Sequence, residues 1–212
     1  MSLRVEINED DYRRIIKAIK PLERSEESVL KTAVNNAAKK AQKNLISSAS
    51  KRYVGKAAKS SVMKGQSTMR KASVSGMAAA IEFASPMKEI GDFHVSNMKV
   101  SLTAYTKAGK RQKRSLKGNV LRGASKSLGN AFVVEFKAGP NKSHRAVVER
   151  VDGVNMKKYS GKPKISHYAK LEKLLSPNVA EMIGNKNVYK PDEIAALLHE
   201  EVERVLGKVL GG

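Results

Sequence analysis

The segment Ser25–Tyr53, SEESVLKTAVNNAAKKAQKNLISSASKRY, carries the strongest structural signal in the chain. Small or apolar residues recur in it every four positions, at Val29, Ala33, Ala37, Ala41, Leu45 and Ala49. This spacing predicts one long amphipathic helix over about residues 25–55, with Ser25 as its N-cap. Because the stripe is mostly alanine, a sheet or a second helix can approach closely, although each residue buries little area.

The flanking sequence predicts further helices and strands on both sides of this helix. Alternation predicts strands, and Pro or Gly residues mark the ends of the elements. We expect a strand at Leu3–Ile7, a helix at Asp10–Lys20, a hairpin from Met69–Val74 and Met77–Phe83, a strand within Val95–Leu102, and a hairpin from Ala131–Phe136 and Ala146–Val151.

Two C-terminal helices are expected over residues 176–209. Ser176 and Pro177 are typical of a helix start, with proline at the first helical position, and Pro191 opens the last helix. The chain is therefore expected to be one α+β domain spanning residues 1–212. It would contain the long helix, an antiparallel sheet of about five strands and the C-terminal helices.

Composition excludes several classes of site. The chain has 212 residues, 41 Lys and Arg against 20 Asp and Glu, a net charge of +21 and no cysteine. Disulfides, thiolate metal sites and thiol nucleophiles are therefore excluded. No apolar run approaches the roughly 20 residues of a membrane span, and the first residues lack the apolar segment of a secretory signal.

The positive charge is concentrated in two acid-free stretches. Eleven bases lie between Glu27 and Glu82, and nine lie between Asp92 and Glu135. The last predicted helix is acidic by contrast. Such polarity favours a polyanion or the acidic face of a partner protein, and a solvated lysine-rich surface is the plain alternative.

Residues 106–128 form the most function-like feature, because they are basic, rich in glycine and serine, and fit no single helix or strand pattern. We expect a flexible loop that contacts DNA phosphates. A surface loop that orders against an acidic protein is an equal alternative. The candidate contact residues are Lys107, Lys110, Arg111, Lys113, Arg114, Lys117, Arg122 and Lys126.

Catalysis is disfavoured. The histidines His94, His144, His167 and His199 show no metal-ligand spacing, so no metal site or cofactor is expected. His199 is expected to be a solvated group on the acidic helix. No phosphate-binding glycine loop or nucleophile elbow is present, and carboxylates are scarce in the centre. A resolved metal or a carboxylate pair in a cleft would revive an enzyme hypothesis.

Several stretches taken together resemble the phage minor tail protein Z family, the tail-completion proteins of long-tailed phages. The resemblance covers most of the chain from about residue 25 onward, in the family's order, and departs from it at Ser176 and Asn178, where the family commonly has Gly and Ser. The segments that carry it are Met69–Val74, Ala79–Phe83, Pro86–Phe93, Asn130–Val134, His144–Arg150 and Lys173–Met182.

This resemblance implies a virion structural protein without a catalytic motif. It would be made in the cytoplasm of a bacterial host and act at the head-proximal end of the tail, between tail tube or terminator and the neck or connector proteins. By analogy, a ring of identical subunits around the DNA channel is expected. The acidic Glu200, Glu201 and Glu203 are candidates for contact with a neighbouring subunit's basic face. A sequence-nonspecific nucleic-acid-binding module is the alternative function.

Overall fold

A computed structural model describes residues 1–20, 26–73, 75–96, 98, 116–137, 143–156 and 168–210. Its mixture of helices and strands agrees with the predicted α+β class. The chain divides into two compact units. Unit 1 contains Met1–Arg52, Lys59–Pro86 and Asn178–Gly212, and unit 2 contains Tyr53–Ala58 and Met87–Pro177. The expectation of a single domain over residues 1–212 stays a prediction.

Unit 1 is built around the long helix that the alanine stripe predicts. Its helices are α1 (Glu9–Ile19), α2 (Glu26–Arg52), α3 (Ser60–Gly65), α4 (Val179–Gly184) and α5 (Pro191–Leu210), and its strands are β1 (Ser2–Glu6), β2 (Ser67–Arg70) and β3 (Ala78–Phe83). The strands form an antiparallel sheet in the order β1-β3-β2. Helix α2 packs against β3 and against α5.

The core of unit 1 follows from this packing. Alanines 33, 37, 38, 41 and 49 of α2 are all buried. Their small side chains leave room for larger ones, such as Ile81, Phe83 and Met182, which are fully buried as well. The predicted helix over about residues 25–55 is confirmed. The predicted first hairpin is confirmed in its antiparallel pairing, but its first strand is Ser67–Arg70 rather than Met69–Val74. Helix α4 begins later than predicted, because Asn178 is its N-cap, in a capping box with Glu181, and Pro177 lies before the cap.

Unit 2 consists of short strands in separate antiparallel sheets. These strands are β4 (Lys88–Glu89), β5 (His94–Val95), β6 (Lys117–Asn119), β7 (Lys126–Ser127), β8 (Phe132–Lys137), β9 (Ser143–Met156), β10 (Tyr168–Lys173) and β11 (Leu175–Ser176). The sheet orders are β10-β9-β8, β5-β6-β7 and β11-β4. The β8–β9 hairpin confirms the prediction for residues 131–151.

The prediction of one sheet of about five strands is wrong. Among the described residues no sheet has more than three strands, and the predicted strands are divided between the two units. Alternation in the sequence shows that a strand has one buried face, but it does not identify the neighbouring strand. Most of Val95–Leu102 lies outside the described residues.

The expected loop over residues 106–128 is corrected for its described part. Residues 106–115 are not described, whereas residues 116–128 include β6 and β7. Gly118 of β6 is buried, and a Cβ atom there would lie 3.1 Å from the Leu128 side chain. The alternating pattern does not predict this strand, because its buried position is a glycine. The strand packs through its backbone there and has no apolar side chain.

The short segment at residues 53–58 is hydrogen-bonded to the rest of unit 2. Val54 donates a backbone hydrogen bond to Val120, and Ala57 donates one to Asp92. Gly55 between them has φ of +90°, and a Cβ atom there would lie 2.4 Å from Phe93 Cα. Only glycine combines this conformation with this close approach.

We expect Gly55→Ala to destabilise unit 2 by about 3 kcal/mol, since the positive φ costs about 1–2 kcal/mol and the backbone overlap adds a similar amount. Gly123→Ala is the matched control. Gly123 also has a positive φ, of 77°, but a Cβ atom there would meet no other atom within 4 Å. Urea unfolding followed by circular dichroism measures both variants. Equal losses would show that the contact with Phe93 imposes no constraint.

Candidate functional site

The predicted DNA-contact residues fall into two groups. Lys107, Lys110, Arg111, Lys113 and Arg114 lie outside the described residues. Lys117, Arg122 and Lys126 lie in unit 2, on or between β6 and β7. We call this three-stranded sheet of β5, β6 and β7 the basic ribbon.

The basic ribbon holds its cations at fixed positions. Ser96 secures the backbone of Lys117, because its N–H donates to the Lys117 carbonyl at 2.9 Å and its Oγ accepts from the Lys117 N–H at 3.1 Å. Lys117 lies opposite Ser127, and Lys126 lies opposite Gly118. Neighbouring positions along a strand point to opposite faces, so Lys117 and Lys126 are not on the same face of the ribbon.

All three described ribbon cations are exposed. In the described part of the chain, neither Lys117 nor Lys126 has an ion-pair partner. The strands β5, β6 and β7, all of which the structure describes, carry no large exposed apolar side chain. Such a surface can neutralise phosphates but offers no Phe, Tyr or Trp ring on which a base could stack.

The predicted acidic contact helix is α5, and the three candidate contact acids on it are engaged within unit 1. Glu201 is fully buried, and its Oε2 accepts hydrogen bonds from Arg204 at 2.9 and 2.7 Å. Its other oxygen, Oε1, is in contact with the ammonium group of Lys40 on α2. Glu200 also pairs with Lys40, at 3.4 Å, and Glu203 pairs with Arg14 of α1 at 2.7 Å.

The prediction of Glu201 as a subunit contact is therefore corrected. A side chain with no exposed surface cannot reach a neighbouring subunit, whereas Glu200 and Glu203 keep 64% and 46% of their side-chain surface. The helical pattern of α5 places Glu201 beside the buried Val202 and Val205. A group of acids on one helix is typical of a solvated face. Glu201 can be buried instead because Lys40 on α2 neutralises its carboxylate.

The ion pairs of Glu201 determine its protonation. Burial raises the pKa of Glu201, but the hydrogen bonds from Arg204 and Lys40 outweigh burial and hold the pKa below its usual value. The same contact, led by the hydrogen bond to Glu201, raises the pKa of Lys40. Glu201 is therefore ionised at neutral pH and links α5 to α2.

His199, which the sequence predicts to be a solvated side chain, is exposed as predicted, and it also makes a contact that the sequence does not indicate. Its Nδ1 lies 2.9 Å from Oδ1 of Asp11, a carboxylate that is almost completely buried on α1. Asp11 also accepts a hydrogen bond from the Asn8 side chain. The contact ties α1 to α5 across 188 positions in the sequence, which no local pattern could indicate.

Sequence reasoning missed a cluster of ionisable residues in unit 2. Glu89 lies 2.7 Å from His144 Nε2 and accepts a hydrogen bond from Lys173 at 2.5 Å. Burial raises the pKa of Glu89, but the contacts with Lys173 and His144 outweigh it and lower the pKa. The Lys173 ammonium also lies 6.0 Å from the centre of the Phe136 ring. These residues come from separate strands, so their spacing carried no signal.

Neither cluster has the composition of a metal site. No group of three or more His, Asp or Glu in the described residues is placed to hold a metal ion. The carboxylates of Glu89 and Glu201 are neutralised by basic side chains instead, which leaves ion pairs that hold strands and helices together. No helix among the described elements combines the length and apolar character needed to cross a membrane.

Comparison of the chain with known proteins finds no protein family, curated protein or solved structure that matches it.

We expect Glu201→Gln to destabilise unit 1 by about 2 kcal/mol, because the neutral amide loses charge-assisted hydrogen bonds in a buried position. Glu200→Gln is the control, since this exposed side chain shares Lys40 and should cost less than about 0.5 kcal/mol. Thermal unfolding at pH 7 compares the two variants. Equal losses would contradict a special role for the buried carboxylate.

The same contact predicts a pH dependence. A carboxylate whose pKa is lowered in the folded state adds stability above its unfolded pKa, near 4.5, and this stability is lost as pH falls through the lower folded value. Unfolding measured from pH 7 down to about pH 3 should therefore show a smaller loss in Glu201→Gln than in the wild type. Parallel curves would show that Glu201 does not contribute.

Proposed function

We propose that this protein is a structural component of a phage or prophage virion. It completes the tail at its head-proximal end and joins the tail tube or terminator protein to the neck or connector proteins. One observation carries the proposal, namely the ordered series of segments from Met69 to Met182 that resemble the minor tail protein Z family. Since no known family matches the chain, the proposal depends on these segments and on the charge distribution.

The described structure is compatible with this role in two ways. Two of the six resembling segments coincide with regular elements, since Ala79–Phe83 lies within β3 and His144–Arg150 lies within β9. The described ion-pair clusters link elements within a unit and are not arranged as a metal site. An architectural role in the virion is therefore part of the proposal.

Assembly as a homo-oligomeric ring is also part of the proposal. A closed ring requires a heterologous contact in which one surface of a subunit meets a different surface of the next. With Glu201 buried, Glu200 and Glu203 are the acids of the predicted contact that keep exposed surface. A basic face of the neighbouring subunit would complement them.

The second candidate function is sequence-nonspecific binding of nucleic acid. The exposed cations of the basic ribbon favour it, because Lys117 and Lys126 have no ion-pair partner in the described part of the chain. In the tail-completion role the same cations would line a DNA path or dock on an acidic partner. Both functions therefore use the ribbon, and they differ in whether tail proteins are required.

We expect the purified protein to bind one end of tail tubes assembled without it, and to do so as an oligomer. Gold-labelled protein seen by electron microscopy gives the position, and mass photometry with and without tail-tube protein gives the oligomer. Binding along the whole tube, or no binding, would contradict the proposal. Tubes already completed by wild-type particles serve as the control, since their ends are occupied.

A salt series tests the DNA alternative. Charge reversal of Arg111, Lys113 and Arg114 to Glu should flatten the log–log dependence of duplex binding on salt by about three contacts, at roughly 0.9 per phosphate. An unchanged slope would show that these residues do not contact DNA. Weakened attachment to tail ends with an unchanged DNA slope would assign them to an acidic protein partner.

A further inference from the structure

The acid-free stretch of unit 1 folds back on itself. From Ser28 to Ile81 the chain has no acidic residue, and this stretch forms most of α2, all of α3 and β2, and the start of β3. The sequence shows how many bases the stretch contains, but it does not show which of them share a surface. The packing of α3 and β2 alongside α2 decides that.

Side-chain hydrogen bonds join α2 to residues 60–72 at three positions along the helix. Asn35 bonds the backbone of Ala72 through both its amide atoms, at 3.2 and 2.9 Å. Further along α2, Gln42 donates to Ser67 Oγ at 2.9 Å, and Ser50 Oγ lies 2.8 Å from Ser60 Oγ. The partners run in opposite orders, so residues 60–72 lie antiparallel to α2. The tethered length of the helix is about 22 Å, at 1.5 Å per residue.

The bases of α2 that lie nearest this seam follow from helical periodicity. Lys39 is one turn after Asn35, and Lys43 is two turns before Ser50, so both lie within about 40° of a tethered position. The backbone carbonyl of Lys64 accepts a hydrogen bond from the hydroxyl of the tethered Ser67. Lys71 precedes the tethered Ala72. Arg70 is excluded, because it lies on the same sheet face as Thr68 and Glu82, whereas the neighbouring Ser67 faces α2. We name this set the α2–β2 basic surface: Lys39, Lys43, Lys64 and Lys71, all exposed.

The charges of this surface are not neutralised within the described structure. Among the residues that the structure describes, none of these four lysines has an ion-pair partner. Lys40 is the contrasting neighbour, because it is taken up by Glu200 and Glu201. Glu82 is opposite Thr68 on β2 and therefore lies on the sheet face that points away from α2. The seam therefore carries four cations that can meet an external ligand.

The side chains define the chemistry of the ligand. Over the described side chains of α2, α3 and β2 no large apolar group is exposed, so the surface has no platform for stacking bases. Lys39 and Lys43 lie four residues apart, about 6 Å along α2, with Lys64 and Lys71 across the seam, so the ammonium groups suit a short row of neighbouring phosphates.

We propose that the α2–β2 basic surface binds the phosphate backbone of duplex DNA without reading its sequence. This proposal adds a second DNA contact to the proposed function. It rests on that function, because the tail-completion role brings DNA past the protein. It adds a site in unit 1 that is distinct in sequence from the basic ribbon of unit 2. Its contacts are electrostatic, so the affinity falls steeply with salt.

The test compares two variants that lose the same number of lysines. The surface variant is Lys39→Gln, Lys43→Gln, Lys64→Gln and Lys71→Gln. The control variant is Lys17→Gln, Lys20→Gln, Lys186→Gln and Lys208→Gln, which removes four exposed lysines from elsewhere in unit 1. Binding of a random 30-base-pair duplex is measured by fluorescence anisotropy between about 50 and 200 mM salt, after circular dichroism confirms folding.

We expect the surface variant to reduce the salt slope by about three and to weaken binding at least tenfold at about 100 mM salt, while the control stays close to wild type. The single variant Lys43→Gln should reduce the slope by about one. It provides a second measurement that does not depend on the fourfold change.

Three outcomes would overturn the inference. Equal losses in the two fourfold variants would mean that total charge alone controls binding. An unchanged slope in the surface variant together with weaker attachment to tail ends would identify an acidic protein as the ligand. Failure of the wild type to bind duplex at about 50 mM salt would exclude the site, while the tail-end assay would still decide the proposed function separately.

Discussion

The close approach of α2 to both a sheet and a helix makes the rest of unit 1 possible. The buried positions of α2 are largely alanines, so β3 on one side and α5 on another can lie near its backbone. Alanine buries little apolar area, and most of the burial comes from its partners, such as Ile81, Phe83 and Val202. A larger side chain in the stripe would separate these layers.

The same proximity explains the charges of unit 1. Glu201 can be buried without a large penalty because Lys40 reaches it from α2 and Arg204 reaches it from the next turn of α5. One base of the acid-free stretch thereby serves the internal structure. Its neighbours Lys39 and Lys43 are exposed, and neither has an ion-pair partner among the described residues.

Local patterns predicted the elements that rest on one repeating physical feature. The four-residue repeat predicted α2, and alternation predicted the β8–β9 hairpin. Strand β6 was not predicted, because its buried residue is Gly118, and a glycine contributes no apolar side chain to an alternating pattern. The cluster around Glu89 was not predicted, because its partners His144 and Lys173 lie on strands far from it in the sequence. Pairing between such distant strands is determined by the whole fold.

The long helix, the absence of cysteine chemistry and the position of the acid-free stretches could all be established from the amino-acid sequence, since each is a property of composition or of residues close together in the chain. Which cations are neutralised became apparent only from the folded chain. Lys39 and Lys40 are adjacent and chemically identical, yet it is Lys40 that meets the carboxylates of α5. Ion pairing depends on distances of a few ångströms between residues about 160 positions apart, and folding sets such distances.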